Sequence, residues 1–196
     1  MSIRRAEIER QNAFLINRQL HFRLAADVVA EAWCRLPEVS AIALIGSVAK
    51  PLWKEVPRFQ PFRRQGVELW HECTDLDLAV WLDHQECLGQ LRRARDLALR
   101  RAYESGTGIS VANHEVDTFL FEPGSDRYLG RLCAFTQCPK GKRDCETPGC
   151  GAIPFNKVFE AFQPMPDLLA GAVPLYERAS GAVWRAADLP APEALL

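Results

Sequence analysis

Three short apolar runs constrain the fold of this chain most: VSAIALI over 39–45, LDLAVWL over 76–82 and EVDTFLFE over 115–122. Each has the length of a strand and falls far short of the roughly 20 apolar residues that a membrane helix needs. The first is nearly all apolar and runs straight into Gly46-Ser47, which reads as a buried strand feeding a tight turn. The third alternates and is rich in β-branched and aromatic residues, as strands are.

Helical periodicity lies on either side of these runs. Over 4–36 the residues Phe22, Ala25, Val29, Ala32, Trp33 and Leu36 recur at spacings of three and four, with Arg23, Asp27, Glu31 and Arg35 on other faces and Pro37 as a stop. Gln85–Tyr103 fits an amphipathic helix with a basic exposed side made of Arg92, Arg93, Arg95, Arg100 and Arg101. Tyr128–Phe135 reads as a fourth strand, Phe155–Phe162 as a short helix, and Leu168–Ala186 as a modest helical pattern in a Pro- and Ala-rich tail. The segment 48–74 is irregular, broken by Pro51, Pro57 and Pro61 and anchored by Trp53, Phe59 and Phe62. At 196 residues there is room for one ordinary domain and a small appendage.

The chemistry concentrates on the strands. Asp75 and Asp77 enter the second one at i and i+2, so they project to one face about 7 Å apart along it. Two carboxylates so placed among apolar strands repel unless a cation lies between them, and hard oxygen ligands suit Mg²⁺. Asp117 in the third strand would complete a phosphoryl-transfer site; Glu115 is an alternative to it. Gly46 and Ser47 supply a turn whose N–H groups and hydroxyl could hold a triphosphate. His71 and His114 lie near these elements and read as hydrogen-bonded bystanders.

The order ALIGS (Ala43–Ser47), TDLDLAV (Thr74–Val80) and EVDTF (Glu115–Phe119) resembles the nucleotidyltransferase superfamily with the DNA polymerase β-like palm. The resemblance covers about residues 37–122. It implies an α/β (α+β) fold with a mixed sheet flanked by helices, and transfer of a nucleoside monophosphate from an NTP to a hydroxyl or phosphate with Mg²⁺ or Mn²⁺. Asp75 and Asp77 would be metal ligands, Asp117 the third ligand and the activator of the acceptor, and Ser47 a triphosphate contact. The chain then divides into a helical segment (1–36), a palm (37–132) with an insertion at 48–74, a Cys-rich module (133–155), and a C-terminal helix and tail (156–196). The 27 residues between Ser47 and Asp75 exceed the family's usual spacer. They read either as a lid over phosphates, with Lys50 and Lys54 nearest the turn, or as a flap packing Trp53 and Phe59 onto the palm.

Four of the seven cysteines, Cys133, Cys138, Cys145 and Cys150, fall within 18 residues, with Pro139, Gly141, Pro148 and Gly149 in the turns between them. Four thiolates in that setting can wrap a structural Zn²⁺. A disulfide or redox pair and plain buried thiols are the alternatives. Cys34, Cys73 and Cys87 read as small packing residues. The neighbouring Lys140, Lys142 and Arg143 read as a solvated turn.

Net charge is −1, with 24 Lys and Arg against 25 Asp and Glu, which disfavours a dedicated duplex nucleic-acid binder. The charged start MSIRRAEIERQN has no apolar signal core, so the expected location is the cytoplasm, with no membrane association. The expected partners are an NTP and an acceptor, with a partner protein or a second copy completing the site. Two other functions fit the same residues: an antitoxin-like minimal nucleotidyltransferase acting with a helical partner, and a non-catalytic, zinc-stabilised binding module.

Overall fold

The structure is a computed structural model that describes residues 5–50, 52, 64, 72–125, 127–132, 158–159 and 167–190. The first helix, α1 (Arg5–Trp33), is an unbroken 29 residues and buries one stripe, including Phe22, Ala26, Val29 and Trp33. The chain leaves it through the turn Trp33–Leu36 ahead of Pro37. The strands are β1 (Val39–Ile45), β2 (Leu76–Leu82), β3 (Val116–Phe121), β4 (Tyr128–Leu132), β5 (Val158–Phe159), β6 (Val173–Glu177) and β7 (Ala182–Val183). Helix α2 (Leu88–Glu104) joins β2 to β3, which run parallel and so need a crossover.

The described strands form one mixed sheet in the order β5-β4-β3-β2-β1-β6-β7. Its other neighbouring pairs are antiparallel. The protein is therefore mixed α+β, as the sequence implies. Helices α1 and α2 pack on one face, where Ile42, Leu44, Leu78, Val80 and Leu120 meet Phe22, Val29 and Leu91. The indole N–H of Trp33 locks the two helices together by donating to the Leu91 carbonyl (2.8 Å). The opposite face carries Ala43, Ile45, Ala79, Phe119 and Phe121, with Trp81, Tyr128 and Leu168 against them. No helix among the described residues is long and apolar enough to cross a membrane.

Several expectations need correction. Val158–Phe159 is a strand paired with β4, not part of a helix. Leu168–Ala186 is a turn followed by the β6–β7 hairpin, and β6 joins the sheet beside β1. The helical pattern there was too weak to compete with the long-range pairing that a strand gains at an open sheet edge. Arg23 and Arg95 do not belong to outer faces: they are 5% and 1% exposed. The four clustered cysteines, Trp53, Lys54, Phe59, Phe62, His71 and the basic residues 140–143 lie outside the described residues.

Candidate active site

The register of β2 and β3 brings the carboxylates together. Asp77 and Asp117 are directly paired across the two parallel strands, and Ile45, the last residue of β1, is paired with Asp77 on its other side. Both aspartates alternate with helix-side core residues, so they lie on the face of Ala79 and Phe119, away from α1 and α2. Asp75 sits in the bend just before β2, where the Thr74 hydroxyl donates to its Oδ2 (2.9 Å).

Gly46 is required by this pairing. Its φ is +73°, and a Cβ there would lie 3.0 Å from Asp77 Cγ and overlap Asp77 Oδ2. A glycine at this point is what lets the turn pass over the carboxylate. Ser47 follows and shares a side-chain hydrogen bond with the buried thiol of Cys73. Helix α1 then holds the next residues. Gln19 Nε2 donates to the carbonyls of Val48 (3.4 Å) and Lys50 (2.8 Å), and Arg23 Nε donates to that of Val48 (3.3 Å). The Lys50 side chain runs toward the turn at Gly171, its Cε 3.7 Å from where a Cβ on that glycine would stand.

Electrostatics divides the three carboxylates. Burial, then the neighbouring charges of Asp117 and Asp75, push the Asp77 carboxyl up to about 7, with Arg131 opposing. Burial also raises Asp117, but Arg131 counters it by charge and by a direct hydrogen bond. Among the described residues no three His, Cys, Asp or Glu side chains converge as a ready-made metal cage. Asp77 and Asp117 are thus both disfavoured as anions by burial, and Asp117 is already paired with Arg131.

Glu115 has a different occupation. It ends a 3-10 turn (Asn113–Glu115) before the strand instead of sharing the strand face with Asp117. Its carboxylate accepts from the Ala112 N–H (2.8 Å) and from Arg18 (3.3 Å), while Arg18 also donates to the Cys73 carbonyl (2.8 Å). It therefore braces the entrances of β2 and β3 against α1. Sequence reasoning missed Gln19, Arg18 and Arg131. For Gln19 a signal existed, a polar side chain on the apolar stripe of α1 beside Phe22 and Ala26. For Arg131 it was an arginine inside the apolar strand YLGRL. His114 is exposed in the same 3-10 turn.

Compared with known proteins, the chain matches no family model, no curated protein and no solved structure.

Proposed function

We propose that this protein is a divalent-metal-dependent nucleotidyltransferase, a member of the polymerase β-like group that its motifs resemble. The observation that carries the reading is the direct pairing of Asp77 with Asp117 beneath a glycine turn that only Gly46 can make. Hard carboxylate oxygens, with the Asp77 carboxyl pushed up to about 7 by burial and then by the charges of Asp117 and Asp75, fit Mg²⁺ or Mn²⁺. Asp75 and Asp77 would hold the cation, and Asp117 stands beside them as the third carboxylate. When bound, the cation would offset charge on the triphosphate and on the leaving pyrophosphate.

The chain's own residues would supply the rest. Gly46 and Ser47 would receive the phosphates, with Lys50 as the nearby cation. The acceptor oxygen attacks the α-phosphorus, the bond from that phosphorus to the bridging oxygen of the β-phosphate breaks, and pyrophosphate leaves. The acceptor proton passes to a carboxylate or to water. The zinc expected at Cys133, Cys138, Cys145 and Cys150 would be structural, because four thiolates leave no open position.

A reading without turnover, nucleotide binding alone, draws on the engagement of Asp117 by Arg131. Pyrophosphate release separates the two. Purified protein with each NTP, Mg²⁺ and candidate acceptors (small alcohols, phosphates, protein and RNA ends) should release pyrophosphate and transfer an α-phosphate label. Asp75→Asn and Asp77→Asn should abolish both. Nucleotide binding with no release for any acceptor supports the non-catalytic reading.

A further inference from the structure

Resting on the nucleotidyltransferase reading, we propose that Arg131 takes the place of a second metal ion: its guanidinium holds Asp117, and the site accepts one divalent cation, on Asp75 and Asp77. Arg131 is not a loose surface cation. It belongs to β4, an interior strand paired on both sides, where its backbone faces Phe119 of β3 and Phe159 of β5. Phe119 lies two residues beyond Asp117 on the same strand face, so the Arg131 side chain reaches along that face to the carboxylate. Its guanidinium passes over the Phe119 ring, 6.0 Å from the ring centre. Arg131 and Asp117 are 24% and 14% exposed, so water screens the pair only in part.

Three further points converge. The guanidinium stays charged at any physiological pH and fits a carboxylate in its plane, which a hydrated ion must displace to reach Asp117. With all three ionised, Asp75, Asp77 and Asp117 carry three negative charges and Arg131 returns one, leaving what a single divalent ion neutralises. Arg131 also reaches Asp117 from β4, on the opposite side of β3 from Asp77 in β2. Arg131 is thus a positioning residue that sets the metal stoichiometry, and Asp117 orients it.

Mn²⁺ binding to the full chain tests this, read by loss of the free-ion paramagnetic resonance signal. It is measured without nucleotide and with an α,β-methylene triphosphate, which cannot turn over. Wild type should take one Mn²⁺, and Asp117→Asn should leave that ion's affinity within about threefold. Arg131→Met should gain a second ion, which the Arg131→Met, Asp117→Asn double variant loses. Arg131→Lys, which keeps the charge, should still take one, and serves as the folded comparison if the methionine variant does not fold. Two ions in wild type, a loss of about tenfold or more in Asp117→Asn, or a second ion in Arg131→Lys would overturn the stoichiometry while leaving the metal site standing. No Mn²⁺ in wild type, with Asp77→Asn indistinguishable from it, would overturn both the stoichiometry and the metal-site reading.

Discussion

Asp77 and Gly46 form the tightest constraint at the scale of single residues. Gly46→Ala would force an L side chain into left-handed backbone, at about 1–2 kcal/mol, and push a methyl into the Asp77 carboxylate. We expect a loss on the order of 2–4 kcal/mol in urea unfolding, together with loss of metal binding. Asp77 also gives stability a definite pH dependence. Its carboxyl titrates near 7 in the folded chain and near 4 in the unfolded one. Between those values the folded state holds a proton that the unfolded state has released, so metal-free stability falls as pH rises. The penalty is complete above about pH 7 and absent below about pH 4. In a chelator, Asp77→Asn should therefore melt higher than wild type at pH 8, by on the order of 2–4 kcal/mol, with the gap closing toward pH 4. A gap that ignored pH would remove the buried, uncompensated charge from the account. The order of the glycine turn, Asp77 and Asp117 along three strands was legible in the sequence, and the register pairs Asp77 with Asp117. That Asp117 meets an arginine was not, because Arg131 lies in another strand and only the sheet register brings the two together.

At the scale of elements, α1 is both a wall of the core and the clamp on the glycine turn. Gln19, 1% exposed, is the point of contact, giving its amide to two backbone carbonyls. Gln19→Ala removes the donor to the Lys50 carbonyl, while Val48 keeps Arg23, and should cost about 1–3 kcal/mol by chemical denaturation. A loss of metal affinity in the same variant would tie the clamp to the site. Strands β1 and β2 were legible to the residue, since an apolar run bounded by turn residues carries its own ends. The burial of Arg23 and Arg95 was not, because their partners are distant: Arg23 binds the Leu189 and Pro190 carbonyls, and Arg95 that of Val116. Strand β6 was hidden for a related reason. It contains Pro174, which is tolerated where the pairing with β1 slips between Ile42 and Ala43.

At the scale of the molecule, the C-terminal hairpin completes the sheet. β6 covers the outer edge of β1, and Leu175 and Ala186 enter the helix-side core fully buried. Arg178 anchors the hairpin to the Asp83 carboxylate through two hydrogen bonds (2.7 and 2.9 Å) and to the Pro37 carbonyl. Asp27 of α1 accepts from the N–H groups of Ala186 and Ala187. A chain ending at residue 166 should lose this cover and expose the β1 edge, giving aggregation in size-exclusion chromatography and a weakened far-UV dichroism signal. A monomeric, cooperatively folding truncation would show that the hairpin is an accessory to the rest of the sheet.

The central claim is that the paired aspartates under the Gly46 turn bind a triphosphate through a divalent ion. Thermal unfolding with each NTP, with and without Mg²⁺, tests it most directly. The expected result is a rise in Tm that requires both nucleotide and metal, equivalent to about 2.7 kcal/mol at a nucleotide concentration near one hundred times Kd, and absent in Asp77→Asn. No rise with any NTP in Mg²⁺ or Mn²⁺, or an equal rise in Asp77→Asn, would contradict it.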